Sequence, residues 1–304
     1  MNRYHLPILS IITSLFLSAS FNTSANIRVF ACEPEWGALV EELAGAKVKI
    51  FVATTAQQDP HHIEARPSLI AKMRRADMVV CTGAELEVGW LPLLLRTSGN
   101  KKIQANQPGY FEAASQIETL EKPEKLDRSL GDVHASGNPH IHLGPYKLLT
   151  IAESLKDRFI KIDSSQTHYY EQRFNDFKQR WLAAIPLWEQ RAKPIRNSQA
   201  IVYHKNWAYL FEWLHIQRVA ELEPIPGVPP SAAHLAKLKQ QFAQSPPDFI
   251  LYGPHQSAKP ANWLAKKIDA PAIELPFTIG GDKNTVDLFS LYSNTIDKLL
   301  IAIQ

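Results

Sequence analysis

The run Ile27-Arg28-Val29-Phe30-Ala31-Cys32, the segment Glu35 to Ala44 and the run Val48-Lys49-Ile50-Phe51-Val52-Ala53 decide the fold. Two short stretches rich in β-branched and aromatic residues flank a segment whose apolar positions recur at helical spacing. Strand, helix and strand form a βα unit, and the pattern continues. Ser68 to Arg75 reads as a helix behind Pro67, Met78 to Thr82 as a strand, and Trp90 to Arg96 as a helix. The second half restarts it, with strands at Gln199 to Tyr203, Gln217 to Glu221, Asp248 to Tyr252 and Ala272 to Leu275. Helices are expected between them at Trp207 to Leu214, Ser231 to Gln244 and Ala258 to Ile268, and after them at Val286 to Ile303. Such alternation predicts an α/β fold with parallel sheets.

Between the halves, Pro145 to about Arg191 holds almost no breaker. It places Leu148, Ile151, Leu155, Phe159, Phe174, Phe177, Trp181 and Ile185 mostly three or four residues apart. The expectation is one long helix, kinked or ended at Pro186. A helix of about 35 residues would span about 50 Å, long enough to run between two lobes as a stiff backbone. The plan is therefore a signal segment over 1–25, an N-terminal βα lobe over 26–145, a linking helix over 146–195 and a C-terminal βα lobe over 196–304. Residues 113 to 139 are polar and without a period, and read as loop with at most one short strand. Pro224 to Pro230, with four prolines in seven residues, reads as a rigid connector.

A chain of 304 residues, 45% hydrophobic and 21% charged, has the composition of a globular protein and not of a disordered, coiled-coil or collagenous one. At the N-terminus Arg3 precedes an apolar run from Leu6 to Leu17 and small residues ending at Ala25, the pattern of a secretory signal peptide cleaved near Ala25. The apolar run is too short to span a hydrocarbon core of about 30 Å, and no cysteine at the cleavage point could accept lipid. A soluble exported protein is expected. Without Arg3 the 33 basic residues become 32 against 30 acidic, scattered and not interleaved with aromatics, which gives no footing for nucleic acid. Cys32 and Cys81 each end a strand-like run, and neighbouring parallel strands would set them side by side, either as a disulfide or as two buried thiols.

Histidines stand beside strand ends or turns in Asp59-Pro60-His61-His62, Asn138-Pro139-His140-Ile141-His142, Tyr203-His204 and Gly253-Pro254-His255. Imidazole is the commonest zinc ligand, so the question is which of them converge. His61 and His140 belong to the first lobe. His204 follows a strand of the second, and Asp282, in Gly280-Gly281-Asp282, follows another. A cleft between the lobes, at the C-terminal ends of their strands, would collect these four. His168 and His234 fall inside helical runs, while His215 and His255 lack a supporting motif. His134 lies in the polar loop, where it offers a transient metal contact.

The segment from Asp59 to Ser68 resembles the Asp-Pro-His-x-x-Glu-x-x-Pro-Ser motif of the substrate-binding proteins that serve zinc and manganese ABC importers. Asn138-Pro139-His140 is similar to that family's second Asp-Pro-His segment, and Tyr203-His204 followed by Trp207, Tyr209 and Phe211 to its third. Ala76-Asp77-Met78-Val79-Val80-Cys81-Thr82-Gly83 resembles its Ala-Asp-hydrophobic-Gly strand. The likeness covers nearly the whole chain after residue 25. It implies a periplasmic protein, not an enzyme, that captures zinc as cargo on His61, His140, His204 and Asp282 and hands it to a membrane permease. It also implies a monomer and, as a further partner, a periplasmic metallochaperone. His62 would replace His61 if the loop were shifted by one, and His142 is a supporting or alternative ligand. Three imidazoles favour zinc over manganese, whose sites in this family place a second carboxylate where His204 stands. The departures are Asn138 in place of Asp and a loop from Glu112 to Gly137 whose lone histidine is His134. An exported zinc hydrolase is the alternative from another class, with Glu64 as its nearest candidate base.

Overall fold

A computed structural model describes residues 26–124, 131 and 133–303. The signal-peptide reading of residues 1–25 lies outside the described residues. The elements run β1 (Ile27–Ala31), α1 (Pro34–Ala44), β2 (Val48–Val52), α2 (Pro67–Arg75), β3 (Met78–Cys81), α3 (Leu91–Ser98) and β4 (Tyr110–Glu112), then α4 (Pro145–Ile162) and α5 (Thr167–Arg191). They continue with β5 (Gln199–Val202), α6 (Ala208–Leu214), β6 (Gln217–Glu221), α7 (Ala232–Gln241), β7 (Phe249–Tyr252), α8 (Ala258–Ile268), β8 (Ala272–Glu274) and α9 (Leu288–Ala302). None of the described helices is long and apolar enough to cross a membrane.

Two parallel sheets of the same topology result, ordered β2-β1-β3-β4 and β6-β5-β7-β8. In each, the chain leaves the first strand to one side and then returns to the other, so the loops at the C-terminal strand ends part and leave a crevice. Helices cover both faces of each sheet, which is why the strands read as nearly unbroken apolar runs. Along β1, Val29 and Ala31 face one core while Phe30 and Cys32 face another. Gly37 on α1 permits close packing, because a Cβ there would lie 2.6 Å from Val52 Cγ2 on β2.

The inner face of each sheet packs on a shared layer of α1, α4, α5 and α9, and one continuous core runs from Val29, Val80 and Phe111 through Phe159, Phe177 and Trp181 to Val202, Leu251 and Tyr292. Trp181 is fully buried among Phe177, Trp188, Phe289 and Tyr292, with its indole N–H donated to Pro145 O at 2.9 Å.

The long helix is present as α5, but the periodic stretch is divided. It makes two helices, α4 and α5, broken at Asp163 and a short 3-10 turn over Ser164–Gln166. They fold back on each other, with Phe159 stacked on Tyr170 at 5.4 Å. Pro186 does not end α5, which continues to Arg191. At 25 residues it is about 37 Å long, enough to touch both α1 of the first lobe and α9 of the second. The cysteines form a disulfide: β1 and β3 align Ala31 with Val80, so Cys32 and Cys81 come next to each other with Cα atoms 4.8 Å apart.

Candidate metal centre

His61 lies in the loop between β2 and α2. Asp59 Oδ1 accepts the His61 backbone N–H at 3.0 Å and also lies 2.7 Å from the ring Nδ1, a two-point hold that turns Nε2 outward. Trp90 Nε1 donates to Pro60 O at 2.9 Å and fixes the loop from below. Burial works against the Asp59 carboxylate, yet its hydrogen bond to His61 and the nearby positive charge hold its pKa below the usual carboxylate range.

Asn138-Pro139-His140 repeats part of this device. Asn138 Oδ1 accepts the His140 N–H at 2.9 Å, while its amide donates to Glu121 and to Lys205 O, both at 3.0 Å. Tyr209 donates its hydroxyl to Asn138 O at 2.7 Å, so α6 of the second lobe holds the segment. His140 is 2% exposed, and neither ring nitrogen has a hydrogen-bond partner. Burial first, then the neighbouring imidazoles of His204, His61, His134 and His142, push its pKa well down, so the ring is neutral.

His204 follows β5. Its Nδ1 lies 2.8 Å from Glu223 Oε2, which also accepts the Gly227 N–H at 3.0 Å. The β5–β6 register explains the pairing. It aligns Val202 with Glu221, so residues two further on meet beyond the strand ends.

The ligand-capable atoms of His61, His140 and His204 all lie within 4.8 Å of one another, with ring centroids 5.5 to 5.7 Å apart. They face a cavity of about 200 Å³ between the lobes, also lined by Asp59, Glu223 and His255. Asp282 stands apart from this group. Its carboxylate accepts Asn294 Nδ2 at 2.7 Å and the Asn284 N–H at 2.8 Å, and pairs with Lys298 at 3.1 Å, which ties its loop to α9. The ligand role expected of it therefore has no geometric support. His142 is likewise outside the group: buried, with Nδ1 3.1 Å from Glu35 Oε1 and Nε2 against Phe277 O.

Three neighbours of the triad went unassigned. Glu223 had no signal without the strand register. Asp59 was visible only as part of a motif. His255, which lacked a motif, lies on the cavity wall, where burial above all pulls its pKa down to about 4 against the opposing charge of Asp59.

Two α/β lobes with three imidazoles meeting in the cleft between their strand ends define a two-lobed binding protein with a cation-type site. The chain belongs to the family described as zinc-uptake complex component A, periplasmic (ZnuA), whose model matches residues 29–302. It is 25% identical over 217 residues to a high-affinity zinc uptake system protein ZnuA of Bacillus subtilis, covering 70% of this chain and 66% of that protein. It is 20% identical over 175 residues to a manganese ABC transporter substrate-binding lipoprotein, PsaA, of Streptococcus anginosus, covering 58% and 54%. These matches thus span between about half and two-thirds of the relatives' lengths. A crystal structure of ZnuA shares the fold at a TM-score of 0.75 and 20% identity, over 92% of this chain and all of that one.

Proposed function

We propose that this chain is a periplasmic substrate-binding protein that captures a zinc ion on His61, His140 and His204 and delivers it to the permease of an ABC importer. The observation that carries the reading is the convergence of three imidazoles from both lobes within 4.8 Å. His140 adds to it. A buried polar group left without a hydrogen bond costs about 1–3 kcal/mol, and a cation among the three rings would use that nitrogen. Asp59 and Glu223 hold the Nδ1 atoms of His61 and His204, which orients each ring and leaves its Nε2 to bind the ion.

The donor set favours zinc over manganese. Zinc accepts imidazole nitrogen in tetrahedral sites, whereas manganese prefers oxygen, and among the described residues no carboxylate belongs to the three-histidine group. The cavity carboxylates Asp59 and Glu223 brace imidazoles and are not poised as general bases, in keeping with transport rather than hydrolysis. Calorimetry on metal-stripped protein tests the reading: one tight zinc per chain and much weaker manganese are expected. Zinc binding that survives the double substitution His61→Ala, His204→Ala would overturn it.

A further inference from the structure

Beyond the three histidines, a fourth imidazole stands directly against His61. His134 Nε2 lies 3.2 Å from His61 Nε2, and their ring centroids are 5.2 Å apart, closer than any pair within the triad. Two imidazole nitrogens sharing one tetrahedral zinc at about 2.0–2.1 Å sit about 3.3 Å from each other. The His61–His134 separation is therefore that of one edge of such a tetrahedron.

His134 is held there by a built turn. The Gly137 N–H returns to His134 O at 3.1 Å, and Gly137 has φ +97°, where a Cβ would come 2.6 Å from Leu120 O and Thr119 Oγ1. Asn138 N donates to Leu120 O at 2.7 Å, and Leu120 N donates to the Tyr209 hydroxyl at 2.9 Å. Glu121 completes the hold through an ion pair with Arg218 on β6, and Ser136 Oγ donates to Glu85 on the opposite side at 2.8 Å. The turn is thus fastened to both lobes. His134, His140 and His204 line a common opening beside Asn138 and Lys205.

We infer that His134, not a carboxylate, fills the fourth coordination position, so that the cation is held by four imidazole nitrogens. The inference rests on the metal-binding reading of the triad and goes further by naming the last ligand. An all-imidazole set leaves the ion its full charge and selects zinc, cobalt, nickel or copper over manganese and magnesium. It also couples occupancy to the turn over residues 134–137, because the ligand and the Asn138 carbonyl that accepts the Tyr209 hydroxyl share one short segment.

X-ray absorption on the zinc-loaded protein, with cobalt(II) visible spectra as a second probe, decides the matter. The wild type and Asp282→Asn are expected to show four imidazoles each, and His134→Ala three imidazoles with one oxygen. His134→Ala should also bind zinc about 10- to 100-fold more weakly, the scale of loss known for support groups around a metal. Melting curves of the metal-free variants check that both fold. Identical spectra and affinities for wild type and His134→Ala would overturn the fourth ligand while leaving the triad standing. Three imidazoles and one oxygen in the wild type, with weaker zinc binding in Asp282→Asn, would overturn it in favour of the carboxylate. Zinc binding unaffected by His61→Ala with His204→Ala would instead remove the underlying reading.

Discussion

Glu223 Oε2 lies 2.8 Å from His204 Nδ1, and the pair exists because β5 and β6 run parallel with Val202 opposite Glu221. Their side chains are each 11% exposed, so the contact is shielded from solvent. The carboxylate fixes which nitrogen of His204 carries the proton, and Nε2 is left to bind. Glu223→Gln keeps the shape and removes the charge. It is expected to lower zinc affinity by about 10- to 100-fold with little change in the melting temperature of the metal-free protein. Competition with a chelator measures the first and calorimetric melting the second. Unchanged affinity would mean that the carboxylate does not tune the ring.

The Cys32–Cys81 disulfide closes a segment of sequence separation 49 that includes β2, α2 and the His61 loop. Cross-linking a loop of that size removes denatured-state freedom worth about 2–4 kcal/mol. Cys32→Ala with Cys81→Ala is expected to lose a comparable amount in urea unfolding. Zinc affinity should change little, since His61 is held by Asp59 and Trp90 and not by the sulfurs. A double variant as stable as the wild type would contradict this.

A buried acid pair lies beside the disulfide. Glu87 accepts the N–H groups of Thr82 at 2.7 Å and Gly83 at 3.1 Å, while Glu33 accepts the Thr82 hydroxyl at 3.1 Å. Burial first, then the charges of Glu87 and Glu35, push the Glu33 pKa well up. Burial raises Glu87 to about 7 despite its hydrogen bonds. The folded state therefore keeps protons that the unfolded chain releases above its ordinary value of 4.5. The stabilisation is full below about 4.5 and is lost as pH rises through about 7 and beyond. Glu33→Gln can donate to Glu87 at every pH. Its stability relative to wild type is expected to grow between pH 5 and 8.5, at about 1.4 kcal/mol for each unit of pKa displacement removed. Urea midpoints of both metal-free proteins across that range provide the measurement. A constant difference would show that Glu33 is ionised throughout.

How far the sequence could be read follows from the range of each signal. The βα alternation is local, and so are the Pro-His motifs at His61 and His140 and the strand that runs into His204, which is why the two sheets and the positions of these three histidines are legible. β4 has three residues, Tyr110–Glu112, too few for a period of two to register. The break between α4 and α5 escaped notice because both helices bury their apolar faces in one core, so the spacing continues across Asp163 without a glycine or proline. Asp282 shows the opposite hazard. A carboxylate near a strand end fitted the expected spacing, but Asn294 and Lys298, on the helix that follows, engage it. Glu223 reaches the cavity only through strand register, and His134 meets His61 only through a turn anchored on both lobes, and neither leaves a mark within a few residues.

Glu35 and Thr278 are 243 positions apart, yet the Thr278 hydroxyl donates to the Glu35 carboxylate in a buried contact between the lobes. Glu35 also faces His142, whose other nitrogen meets Phe277 O, and Tyr292 donates to His142 O at 2.7 Å. Together with the continuous core through Trp181 and Tyr292, this network closes the base of the cleft beneath the histidines. Hinge closure would have to break buried hydrogen bonds between the lobes and unpack aromatic rings of the shared core, while movement of the His61 loop or the His134 turn would leave that core packed. Zinc is therefore expected to leave the radius of gyration in solution scattering unchanged while protecting amides near residues 59–64 and 134–138 from hydrogen exchange. Glu35→Ala should lower stability by about 1–3 kcal/mol for each partner left unsatisfied, and should loosen the lobes enough for zinc to shrink the molecule. A wild type that contracts markedly on binding zinc would show that this network gives way.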